Sequence, residues 1–173
     1  MKDITKKLSF LLLGFALMSS LFSCENDDPV ADPSNIVVED ITGDWWVIAL
    51  EPDGETPAYG GDYVQFSTYA TAANNTNFWL DDNDLWMELK AKVSLDPSTL
   101  TFSSVPDTEE LYTGETVTIT NGKFTKNSFT TPGSNTVVDE IQFEAEFSWD
   151  PGTVYVFKGY ERTGKVADDN PHY

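Results

Sequence analysis

The chain has 173 residues, with 29 acidic against 10 basic side chains and a formal net charge of −19. That balance excludes nucleic acid, whose phosphates are held by Lys and Arg, and excludes lying flat on an anionic bilayer. A single cysteine and a single histidine rule out an internal disulfide and leave little for a histidine-based zinc centre, so no metal or cofactor is expected.

The chain opens with basic Lys2, Lys6 and Lys7, followed by the apolar run "LSFLLLGFALMSSLF". This predicts a secretory signal over residues 1–23, shorter than the roughly 20 apolar residues of a spanning helix. It ends in "LFSC", which resembles the lipobox of bacterial lipoproteins. Cys24 is therefore expected to become the acylated N-terminus, and that lipid anchor is the only expected membrane contact. Glu25, Asp27 and Asp28 follow. They resemble the acidic tag that directs lipoproteins of two-membrane bacteria to the surface of the outer membrane, the expected localisation. Residues 24–36, with Pro29 and Pro33, predict a semi-extended acidic tether.

One β domain is predicted over 37–166, followed by a tail over 167–173. Thr, Val and aromatic residues alternate in short runs broken by turn signals, and no helical stripe persists. Strands are predicted at 44–51, 62–70, 77–80, 85–93, around Leu100 and Phe102, 115–120, 123–129, 139–149 and 153–162. Leu85, Met87, Leu89, Ala91 and Val93 give the cleanest period of two, with Trp86, Glu88, Lys90 and Lys92 on the opposite face. Asn121-Gly122 is the strongest hairpin signal in the chain. Asp81, Asp82, Asn83 and Asp84 have the oxygens of a calcium loop but run into Leu85, Trp86 and Met87, so a polar hairpin loop is expected. Eight or nine antiparallel strands fit an up-and-down barrel or a β-sandwich, because both bury one face of each strand.

Gly43-Asp44-Trp45 has the Gly-x-Trp form found at the start of lipocalin-like (calycin) barrels. In those barrels the Trp plugs the closed end and an arginine after the last strand packs across its ring. Arg162 in "GYERTG" stands at the matching place, so the resemblance implies a Trp45–Arg162 pair tying the first strand to the last. More narrowly, the chain resembles the small bacterial lipoproteins of the lipid-binding putative hydrolase family. The likeness rests on the lipobox, "ITGDWWV" and "VYVFKGYERTG"; an aromatic often follows Arg-Thr-Gly in that family, and here Lys165 stands instead.

A hydrolase needs a site. His172 lies next to the C-terminus, the one cysteine is the lipidation residue, and no Gly-x-Ser-x-Gly elbow occurs. Paired carboxylates remain, but Glu88, Glu144 and Glu146 fall on outward faces, so no catalytic residue is assigned. Binding a small apolar ligand or lipid inside the barrel is the simpler expectation, with Phe66, Phe78, Met87, Leu89, Val117, Ile119, Phe143 and Phe147 as its walls. The same side chains could instead fill the interior. A second reading is a carbohydrate-binding module, with Trp79 and Trp86 as a stacking platform and Asp82 or Asn83 as hydrogen-bonding partners. The third is a hydrolase using carboxylates.

Overall fold

The computed structural model describes residues 36–172; the leader, Cys24 and the tether before Ile36 lie outside it. Nine strands follow in order: β1 (Gly43–Leu50), β2 (Val64–Ala70), β3 (Asn77–Asp81), β4 (Lys90–Asp96), β5 (Thr101–Ser103), β6 (Thr108–Glu109), β7 (Thr116–Thr130), β8 (Val137–Phe147) and β9 (Val154–Glu161). They form one antiparallel sheet in the order β5-β4-β3-β2-β1-β9-β8-β7-β6, and β5 also pairs with β7. That last pairing rolls eight strands into a closed barrel, with β6 as an extra strand on β7. A sheet that closes on itself has no second sheet to face, so the sandwich alternative falls away.

Closure turns on one glycine. Thr101 pairs with Lys123 and Phe102 with Gly122. A β-carbon on Gly122 would lie 2.4 Å from the Phe102 ring and 2.5 Å from its carbonyl oxygen. Asn121-Gly122 is therefore not the expected hairpin. The predicted strands 115–120 and 123–129 are one continuous strand, and the register shift between Thr120 and Lys123 is a bulge with Asn121 at φ 52°. Asn121 Nδ2 donates to Glu144 on β8, fixing the bulge from the side. The true reversal into β8 comes at residues 131–136.

The predicted strand 85–93 is also displaced. Residues 82–89 are a loop, and β4 starts only at Lys90. The Asp82 carboxylate captures the backbone N–H groups of Asp84, Trp86 and Met87, and Glu88 turns into the left-handed region at φ 52°. Leu85 is consequently exposed, whereas Met87 and Leu89 still reach the core. The tail boundary shifts as well. Val166–Asp168 form a 3-10 turn, and buried Asp168 accepts hydrogen bonds from Ser134 and Thr163.

Inside, alternate residues of every long strand meet. Phe143 stacks on Phe157 at 4.5 Å, Phe102 packs on Phe124 at 5.0 Å, and Phe66 and Phe78 contact these rings in turn. One end is covered by the 3-10 turn Glu39–Ile41, whose Ile41 joins the core together with Val38. Beneath it, the Trp45 indole donates to Thr68 Oγ1 at 2.9 Å, and that hydroxyl donates to the Ile41 carbonyl. Trp46 points to the outer wall, packed with Val138 and Tyr160.

Candidate functional site

At the opposite end the connections β1–β2 (51–63), β3–β4 (82–89), β6–β7 (110–115) and β8–β9 (148–153) come together. Three buried carboxylates hold two of them, 82–89 and 110–115, in shape. Asp82 is completely buried and accepts the three N–H groups named above at 2.8–3.3 Å. Burial pushes its carboxyl up, against the pull of those hydrogen bonds. Glu110, 2% exposed, accepts from the N–H groups of Lys90, Tyr112 and Thr113 and from the Thr113 hydroxyl at 2.7–3.0 Å. Asp81 takes a salt bridge from Lys90 at 2.8 Å and hydrogen bonds from the hydroxyls of Tyr69 and Tyr112. Its burial acts upward, but Lys90 and the two tyrosines together hold the carboxyl below its usual range.

The fourth support is a phenol relay. Tyr155 donates to Asp150 Oδ2 at 2.6 Å, which leaves its oxygen to accept from the Tyr59 hydroxyl, also at 2.6 Å. Burial, then the Asp150 and Tyr59 contacts, push the Tyr155 hydroxyl well above its ordinary value.

These loops enclose a cleft of about 480 Å³ lined by Tyr59, Trp86, Met87, Glu88, Thr113, Glu115 and Trp149. Trp149 stacks on the core residue Phe147 at 5.0 Å and faces Tyr59 at 6.5 Å. Trp86 is seated over Gly61, where a β-carbon would overlap the indole at 1.9 Å. The floor is thus apolar, the walls aromatic and the rim acidic. Tyr59 is 65% and Trp149 43% exposed, two neighbouring aromatic rings open to solvent. A wider groove of about 660 Å³ runs along the β4–β5–β7 seam, lined largely by Ser, Thr, Asn, Asp96 and Lys123. It is the outer face of the bulge at Asn121, and Phe102, the one aromatic residue in its lining, is itself buried in the core.

Of the expected wall residues, only Met87 reaches the cleft. Phe66, Phe78, Leu89, Val117, Ile119, Phe143 and Phe147 are all buried within one core cluster. The proposed stacking platform is not assembled. Trp79 lies on the outer wall of β3 between Tyr69 and Lys92, while Trp86 sits in the mouth. Asp82 is taken up by its own loop, and Asn83 Nδ2 donates to the Gln65 carbonyl. Tyr59, Thr113, Glu115 and Trp149 were not foreseen. The available signal was "FSWDPG", where a large aromatic sits at the edge of a turn rather than within a strand.

The arginine partner also differs from the expected one. The Arg162 guanidinium lies over the ring of Trp46, 5.7 Å from its centroid, rather than over Trp45. Trp45 points into the barrel, so the neighbouring outward ring is the one an arginine beyond β9 can reach. Arg162 still joins the first strand to the last, since its backbone N–H donates to the Asp44 carbonyl at 2.8 Å. His172 stands 84% exposed with Nδ1 2.6 Å from Asp62.

No curated protein matches the chain. A family model does match, over residues 30–165, a span that includes all nine strands and both ends of the barrel. The chain belongs to the family described as lipid-binding putative hydrolases.

Proposed function

We propose that the protein is a lipid-anchored, surface-displayed barrel that binds a small apolar ligand or lipid at its mouth. Family membership and the closed barrel support an apolar-ligand role. The observation that carries the finer reading is the 480 Å³ cleft, in which Trp86, Trp149 and Tyr59 stand over Met87 while the rings behind them pack on one another. An alkyl chain lying there would remove apolar surface from water, at about 25 cal/mol per Å². It would not have to displace the packed interior. The signal run, the lipobox ending in Cys24 and the acidic residues after it support the anchor and the surface location.

Native mass spectrometry of the Cys24→Ser chain, which carries no acyl group of its own, tests the binding. A co-purifying apolar molecule is expected, and Trp149→Ala should release it with the fold intact by circular dichroism. Consistently empty spectra, together with no displacement of a fluorescent fatty-acid probe by any alkyl compound, would overturn the reading. Anchoring is checked by incorporation of labelled palmitate, which should require Cys24.

A further inference from the structure

We infer that the mouth cleft selects amphiphiles with a positively charged, ammonium-bearing head. This deepens the apolar-ligand reading and rests on it. The lining combines three aromatic side chains, Tyr59, Trp86 and Trp149, with two carboxylates, Glu88 and Glu115, and contains no Lys or Arg. Aromatic faces carry negative charge at their centres and attract ammonium groups, most strongly when the cation is weakly hydrated. Glu88 makes no hydrogen bond or ion pair among the described residues, and its backbone is held in the left-handed region between buried Met87 and buried Leu89. Glu115 accepts one hydrogen bond, from Ser148 at 2.8 Å, and keeps its other oxygen for a ligand.

The surroundings reinforce the sign. Asp82, Glu110 and Asp150 stand directly behind the lining loops. Among the described residues two cations reach these connections without lining the cleft: Lys90 is paired with Asp81 at 2.8 Å and lies over the rings of Tyr69 and Tyr112, and Lys158 Nζ donates to the Gly54 carbonyl at 2.8 Å. An anionic head would meet the carboxylates of Glu88 and Glu115 without a compensating charge. A sugar head would find stacking faces but would leave the charge unused.

Three ligands with the same decyl chain separate these cases: decyltrimethylammonium, decanoate and decyl maltoside, each titrated below its micelle threshold into the Cys24→Ser chain. The trimethylammonium compound should bind at least ~10-fold tighter than either of the others, the scale of one good cation–aromatic contact. In E88Q/E115Q that preference should collapse, the trimethylammonium compound losing its advantage over decyl maltoside. A control pair at the far end, E39Q/D40N, should leave it intact. Equal affinity for all three heads would overturn the charge selection and leave the apolar-ligand reading standing. Tightest binding of the maltoside would overturn it in favour of carbohydrate. A preference that survives E88Q/E115Q would overturn it as a general effect of net charge. Failure of all three ligands would overturn both readings.

Discussion

Arg162 holds one end of the barrel through several weak contacts at once. Its guanidinium covers Trp46, its Nε and Nη2 donate to Asp169 at 2.9 and 3.1 Å, and its backbone binds β1. The side chain is about one-third exposed, so solvent screens the ion pair. Arg162→Ala should lower stability by about 1 kcal/mol in urea denaturation, most of it from the lost ring contact. Probe binding at the mouth should not change. Asp168, nearby, sets an acid limit. Burial acts to raise its carboxyl, but the Ser134 and Thr163 hydrogen bonds prevail and hold it down at about 2, against an ordinary 3.8. A depressed carboxyl contributes stability that is complete above the ordinary value and lost as pH falls through the depressed one. Stability should therefore decline between about pH 4 and pH 2, and Asp168→Asn should flatten that part of a pH–stability curve. The place of Arg162 at the seam was legible in the sequence, whereas its ring partner and the role of Asp168 were not. "GYERTG" marks an arginine at the barrel seam, but which of two adjacent tryptophans it reaches depends on which face of β1 points outward.

Strand alternation made the all-β fold legible, because each strand has to bury one face; the preference for a barrel over a sandwich rested on the resemblance at Gly43-Asp44-Trp45 and Arg162. The two misplaced elements are local patterns reassigned by a side chain, a near one in the first case and a distant one in the second. The alternation from Leu85 to Val93 runs unbroken through a loop, because Asp82 gathers the backbone there. Asn121-Gly122 has the composition of a hairpin and serves as a bulge instead, because Phe102 arrives from β5. No local window contains that neighbour. The seam it makes is narrow, since β5 is three residues long. Gly122→Ala should force β5 away from β7 and destabilise the protein by about 1–3 kcal/mol, the usual range for overpacking. Backbone amide exchange should then rise first in residues 101–103, and unchanged exchange there would mean that the seam does not depend on this glycine.

At the scale of the whole molecule, the proposed binding at the mouth would separate structure from recognition by the barrel's two ends. The covered end joins residues 36–42 and the turn Val166–Asp168 to the first and last strands. The open end gathers four loops that carry most of the exposed aromatic surface. The mouth was the least legible part of the protein, because its residues come from four separate connections that only closure brings together. A packed interior with function concentrated in loops is also a common division of labour, in which a rigid scaffold positions variable segments.

The placement of the tryptophans has an optical consequence. Trp45 and Trp46, at the covered end, are 2% and 8% exposed, whereas Trp149 at the mouth is 43% exposed. Intrinsic emission should therefore contain a blue-shifted component that acrylamide does not reach and a red-shifted one that it quenches. A ligand entering the cleft should protect only the second, while the first serves as an internal reference in the same spectrum. Trp149→Phe should remove the most readily quenched part of the light, leaving the smaller share of half-buried Trp79 and Trp86 and the protected pair untouched, so the protein carries its own gauge of whether the mouth is occupied.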